Sequence, residues 1–301
     1  MKRLCIDIGA TNTQIGSLEE ELEDLKVVDT DTFLDDPTEI LKEFFGPEEK
    51  VHVGIACPGP IDRKRGIIQP PNMPFEELDL KEHLDEDIDS IFLVNDCVSA
   101  VLGEYAKGHC APNMVYVTIS SGIGSGVIVD DKLIVKRGFA EVGHTYVGGE
   151  RTCGCGGKGH WEAYCSGDNI PSYAEDLTGK KYVNAETLFE RFYEGEKEAE
   201  KVIENIKEFN VRGFSNLIDS FGPDLIVIGG SVFLNNRKIL LEDLEKKVER
   251  DTLGKLPKFK TTTLFGKAEL YGLMFLWRSV KKDLEGLGDM QIYRSSVIDL
   301  K

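Results

Sequence analysis

Two short glycine-rich turns, each set between β-strand patterns, constrain this chain more than any other feature. Arg3–Ile8 reads as a strand, Gly9-Ala10-Thr11-Asn12 as a tight turn, and Thr13–Leu18 as a second strand. The pattern returns later: Met114–Ser120 and Gly126–Val129 flank a turn containing Ser121, Gly122 and Gly124, with Leu133–Val135 as a third strand. Two modules that open alike predict two related α/β lobes with a cleft between them. Glycine lets backbone N–H groups approach phosphate oxygens closely, and small hydroxyl side chains add donors. Neither turn is a dinucleotide fingerprint, because a strand and not a helix follows each one. Neither ends in the Gly-Lys-Ser/Thr of a P-loop. Either alone reads more readily as a plain hairpin. Asp7, placed just before the first turn, is a carboxylate suited to holding Mg²⁺ through water.

The bulk properties narrow the function further. A chain of 301 residues has room for about two domains and a full core without disulfides. Its net charge of −17 argues against nucleic acid as a partner, since a phosphate backbone needs a basic face. The opening apolar stretch is interrupted at Asp7, too early for a signal peptide or membrane span. Seven cysteines, an odd number scattered except for Cys153 and Cys155, point to reduced thiols in the cytoplasm.

Between the turns, Pro37–Phe45 has helical spacing, Val51–Ala56 is a short buried strand, and Ile91–Val94 is another strand leading into a helix from Asp96 to Ala106. Helical segments follow at Asn184–Phe192 and about Glu196–Phe221, then a strand at Leu225–Ile228 closed by Gly229-Gly230-Ser231. Lys238–Arg250 and Ala268–Val280 read as surface helices. Asp96 sits between strand and helix, where its carboxylate can face the end of a sheet. Asn95 or Asp96 could equally cap that helix.

Cys153-x-Cys155-x4-His160, with His144 nine residues before Cys153, offers two thiolates and two imidazoles, a sufficient tetrahedral set for structural Zn²⁺. The bland reading is a flexible glycine loop with incidental thiols. A Cys-x-Cys pair is poorly placed to bridge to itself.

The region Asp7–Gly16 resembles the first phosphate motif of the actin/Hsp70/sugar-kinase superfamily. More narrowly, the chain resembles the ROK family (repressor, open reading frame, kinase) from Asp7 to about Gly272. The resemblance is carried by Val53–Asp62, Asn95-Asp96, the second glycine turn, Glu141–His144, Cys153–Glu162 and Ile226–Gly230. It implies an α/β, two-lobed actin-like ATPase fold (ribonuclease H-like), each lobe a mixed β-sheet flanked by helices. The lobes would be 1–112, with a C-terminal helix at about 268–281 packing back on it, and 113–267, carrying the zinc loop 144–160. The tail 282–301 has no assigned role.

The same resemblance implies a sugar kinase using ATP with Mg²⁺. Asp96 would be the base, and Asn95, Glu141, His144, Glu162, Gly59 and Asn72 would bind the sugar. Asp7, Gly9, Thr11, Asn12, Thr13, Ser121, Gly122, Gly124, Gly229 and Gly230 would bind nucleotide. His144, Cys153, Cys155 and His160 would hold a structural zinc that positions Glu141 and Glu162. It also implies a homodimer. The chain departs from the family pattern at Ala10, Gln14, Ser121, Ser125, Val98 and His160, the last replacing a third cysteine. Glucose at O6 is the leading acceptor, with N-acetylmannosamine or N-acetylglucosamine as alternatives. A sugar-responsive repressor would need a helix-turn-helix before the first turn, where Asp7 leaves no room, and the acidity is wrong for DNA. A catalytically silent sugar-binding member is the remaining alternative.

Overall fold

The computed structural model describes residues 2–19, 21–46, 51–62, 65–69, 77–79, 88–134, 140–281 and 297–299. The chain divides into two units. The first comprises Met1–Cys110, Asp131–Leu133 and Leu264–Lys301; the second comprises Ala111–Asp130 and Ile134–Thr263.

In the first unit, β1 (Lys2–Ile8), β2 (Asn12–Leu18) and β3 (Leu22–Asp29) form an antiparallel meander. β4 (Val51–Cys57) pairs with the free side of β1 in parallel, and β5 (Ile88–Asn95) pairs in parallel with β4. A short strand, Val297–Asp299, closes the far edge against β5. The central strands β1 and β4 are mostly buried, with Leu4, Cys5, Ile6, Val53, Ile55 and Ala56 in the core. That is the signature of strands covered on both faces. β3 was not legible in the sequence, because Leu22–Asp29 has no alternation and is largely exposed. Its backbone pairing with β2 defines it.

The helix Asp96–Lys107 and the C-terminal helix Ala268–Lys281 pack against each other and against β4, and the latter also against β1. The residue pattern of Ala268–Val280 reads as a surface helix, whereas the family resemblance has it packing back on the first lobe. In fact Ala268, Leu270, Leu273, Met274 and Leu276 are buried. Glycine makes the close approach possible. A Cβ at Gly103 would lie 1.9 Å from the Ala268 carbonyl oxygen, and one at Gly272 would lie 1.8 Å from that of Ser99. Ser99 Oγ donates to the Glu269 carbonyl at 2.6 Å across the same contact.

The second unit opens with the antiparallel hairpin β6 (Met114–Ile119) and β7 (Ile123–Val129). β8 (Leu225–Gly229) lies parallel to β6, and β9 (Lys258–Thr261) parallel to β8. Both units therefore begin with an antiparallel hairpin around a glycine turn and extend it with parallel strands. The helix Lys197–Phe221 buries Val202, Ile203, Ile206, Val211, Phe214, Leu217 and Ile218 on one stripe, and ends at Gly222 in the left-handed conformation. The expected helix Lys238–Arg250 is two helices, Arg237–Leu241 and Leu244–Asp251, broken where Asp243 adopts φ +55°. A left-handed residue cannot continue a right-handed helix. A further helix, Ile170–Thr178, follows the cysteine-rich loop and was not anticipated. Of the expected strand Leu133–Val135, Leu133 lies in a short strand, Lys132–Leu133, and Val135 falls outside the described residues. Among the described residues, no helix is long and apolar enough to cross a membrane.

Candidate active site

Parallel pairing gathers the first unit's chemistry at one end of its sheet. Asp7 pairs in register with Ala56, and Cys57 with Asn95, so the carboxyl ends of β1, β4 and β5 share one edge. Asp7, Gly59 and the pair Asn95-Asp96 emerge there, the position where open α/β sheets bind ligands. Asn72 lies outside the described residues. The first glycine turn is braced by Thr30, the residue that follows β3 and opens a short helix, Thr30–Asp35. Thr30 Oγ1 donates to the Gly9 carbonyl at 2.7 Å and lies 3.1 Å from Thr13 Oγ1, while Thr30 N donates to the Thr11 carbonyl at 3.0 Å. Thr13 is fully buried, so its hydroxyl holds the turn; Thr11 and Asn12 are exposed.

Asn95 caps the helix after it: its Oδ1 accepts from Val98 N at 3.1 Å. Asp96 is the first helical residue, and its Oδ1 accepts from the Cys97 N–H at 2.8 Å. The capping role thus falls to Asn95, whose amide nitrogen side is not needed for it. Val98 is buried in the core beneath the pair, with only 1% of its surface exposed.

Burial pushes the Asp96 carboxyl above its ordinary range, against the lowering pull of the Cys97 N–H and the Asn95 side chain. Asp7 is raised well above its ordinary range, first by burial and then by the charges of Glu269 and Asp96. Glu269, at the start of the C-terminal helix, is pushed up to about 7 by burial, with the Asp96 and Glu104 charges adding to it. This third carboxylate escaped the sequence reading. Its only signal was an acidic residue in the first turn of a helix, which more often complements the helix dipole.

In the second unit, β8 ends beside β6, and Ser120 Oγ lies 3.0 Å from Ser231 Oγ, so the second glycine turn and Gly229-Gly230 adjoin. Gly230 adopts φ +87°. The turn is tied to the segment after the cysteines. Gly167 N donates to the Ser120 carbonyl at 2.7 Å, Asp168 N to the Ser121 carbonyl at 3.2 Å, and Ile123 N to Glu162 Oε2 at 2.8 Å. Glu162 is buried, whereas Glu141 is exposed just ahead of a 3₁₀ turn, Val142–His144.

His144, Cys153, Cys155 and His160 come together as expected from their spacing, with ligand atoms all within 4.8 Å of one another. Cys153 Sγ lies 3.6 Å from His144 Nδ1, and Cys155 Sγ lies 3.2 Å from His160 Nδ1. Two thiols and two imidazoles gathered this closely are the donor chemistry that a tetrahedral zinc takes. Burial, followed by the His144 charge, lowers the His160 pKa, which favours the neutral imidazole a metal needs. None of the seven cysteines forms a disulfide.

The comparisons agree with this geometry. The sequence model of the ROK family matches residues 3–279. The chain is 34% identical over 252 residues to the glucokinase of Pyrobaculum calidifontis, covering 82% of this chain and 85% of that protein. Among solved structures, it resembles the ROK hexokinase from Thermus thermophilus at 27% identity and a TM-score of 0.76, covering 93% of this chain and 99% of that one. The fold also matches a ROK family glucokinase from Streptomyces griseus, solved with glucose and AMPPNP, at 24% identity and a TM-score of 0.72 over 92% of this chain and 99% of that one. With both glycine hairpins, the Asn-Asp pair and the Cys/His cluster present in a match spanning nearly its whole length, this chain belongs to the ROK family.

Proposed function

We propose that this chain is an ATP-dependent hexose kinase acting on glucose at its 6-hydroxyl. The observation that carries the reading is the half-buried pair Asp7 and Asp96 at the carboxyl ends of β1 and β5 in a ROK-family chain. The glucokinase relative and the hexokinase fold neighbour support the same substrate class.

Phosphoryl transfer asks a protein mainly to position groups and neutralise charge. Asp96 accepts the proton of the sugar hydroxyl as its oxygen forms a bond to the γ-phosphorus and the bond to the departing ADP breaks. A carboxylate pKa raised toward neutrality suits a base of this kind. Asn95, with its Oδ1 spent on the helix cap, offers its amide N–H to a sugar hydroxyl. Glu141, His144, Glu162, Gly59 and Asn72 complete the sugar's hydrogen bonds; a dense polar set rejects analogues by leaving buried groups unpaired. The turns containing Gly9, Thr11, Asn12 and Thr13, and Ser121, Gly122 and Gly124, take the phosphates, with Gly229-Gly230 toward the adenosine. Mg²⁺, bound with ATP near Asp7, supplies charge neutralisation at the phosphates. Zinc at His144, Cys153, Cys155 and His160 is structural, holding the loop that carries Glu162. A homodimer belongs to the same reading through family membership, and a cytoplasmic location suits seven cysteines without a disulfide.

The test is MgATP-dependent ADP release across a panel of hexoses and N-acetylhexosamines, with Asp96→Asn in parallel. Glucose should be turned over, and the variant should lose about 10³-fold in kcat while still binding sugar. Preference for N-acetylmannosamine or N-acetylglucosamine would move the substrate and keep the mechanism. No turnover with any sugar, in protein that binds nucleotide, would leave the silent binding module as the account.

A further inference from the structure

The loop that follows the Cys/His cluster grips both arms of the second glycine turn. On one arm, the backbone N–H groups of Gly167 and Asp168 donate to the carbonyls of Ser120 and Ser121 at 2.7 and 3.2 Å. On the other, the Ile123 N–H donates to Glu162 Oε2 at 2.8 Å, a buried charge-assisted bond. Between them, Ser120 N donates to the Gly122 carbonyl at 2.9 Å and closes the turn. Of these anchors, the Glu162 bond is the one made by a side chain.

The backbone beneath Glu162 is held rigidly. Its neighbour Trp161 is completely buried, its Nε1 donates to Asn210 Oδ1 at 2.8 Å, and its ring meets Phe214 edge-on at 5.0 Å. The indole lies on Gly213 of the long helix, where a Cβ would sit 2.2 Å from the ring. Glu162 Oε1 lies 3.9 Å from Cys153 Sγ. One carboxylate thus reaches the cysteine loop with one oxygen and the glycine turn with the other.

We propose that Glu162 is a positioning residue that holds the second glycine turn in its phosphate-accepting shape, so that nucleotide affinity as well as sugar affinity depends on the reach of its side-chain oxygen. This rests on the reading of that turn as a nucleotide site. The physical reason is that a glycine turn is floppy unless its amides are fixed, and ordering it on binding would cost affinity. Glu162 meets that cost in advance, in the folded protein.

The experiment is calorimetric titration of the zinc-loaded protein with a non-hydrolysable ATP analogue and Mg²⁺, without sugar. Wild type is compared with Glu162→Ala, Glu162→Gln and Glu162→Asp, and zinc content is checked for each. Glu162→Gln retains an oxygen for the Ile123 N–H and should bind nucleotide within about threefold of wild type. Glu162→Ala should lose about tenfold or more. Glu162→Asp, one methylene too short to span the bond, should lose affinity as the alanine variant does. If the alanine variant fails to fold, the glutamine and aspartate pair decides. Nucleotide affinity that is unchanged in both the alanine and aspartate variants, with only the KM for sugar raised, would overturn the proposal and leave Glu162 serving the sugar alone. Wild type that binds no nucleotide would instead sink the kinase reading.

Discussion

Glu269 shows how burial can turn an ordinary surface residue type into a sensitive one. Its pKa is pushed up to about 7, first by burial, from an ordinary value of 4.5. The native state therefore holds this proton where the unfolded chain releases it, and stability falls as pH rises between those values. Glu269→Gln removes that loss. In calorimetry without Mg²⁺, the variant should melt above wild type at pH 8 by about 3 °C more than at pH 5. An equal gap at both pH values would show that the side chain is solvated. Individual residues were unequally legible. His144, Cys153, Cys155 and His160 could be read because metal chemistry restricts both residue type and spacing. Glu269 could not, since its proximity to Asp7 and Asp96 depends on a helix 170 residues after Ser99 in sequence docking onto the Asp96 helix. Thr13 likewise looked like a phosphate contact, and only burial against Thr30 reveals a hydroxyl that braces the turn.

At the level of elements, the contact between the Asp96 helix and the C-terminal helix decides where those acids sit. Gly272 sets its closeness, with a would-be Cβ 1.8 Å from the Ser99 carbonyl oxygen. Alanine is intrinsically better than glycine in a helix by about 1 kcal/mol. The overlap with backbone should outweigh that gain, since forcing atoms into a packed contact costs about 1–3 kcal/mol and backbone yields least. Gly272→Ala should therefore lower the urea midpoint of the protein, and it should slow the kinase by displacing Glu269. A variant as stable as wild type would mean that the helices can separate at little cost. The strands β1, β2, β6 and β7 were readable because alternation and glycine turns are local signals. β3 was not, because an edge strand half in solvent needs no apolar pattern to pair its backbone. The break at Asp243 escaped notice because nothing in Lys238–Arg250 except its acid residues opposes a continuous helix.

For the whole molecule, the chain relies on packing and not on disulfides, with the Cys/His cluster as the one covalent-strength crosslink available among the described residues. Metal analysis of the purified protein should find one zinc per 33.5 kDa chain, and removing it with a strong chelator should lower the melting temperature. A chelated protein that melts unchanged would identify the cluster as a hydrogen-bonded thiol–imidazole group. The two-hairpin plan, the acid before the first turn and the four residues of the Cys/His cluster were all present in the order of residues, because each is set by spacing within a few positions. Tertiary structure alone brought the third carboxylate to Asp7 and Asp96 and joined Glu162 to Ile123 across 39 residues. It also decided which residues of the C-terminal helix are buried. The reason is that such contacts come from parallel pairing and helix docking between segments far apart in the chain, and no local pattern of residues encodes which partner a buried face will find.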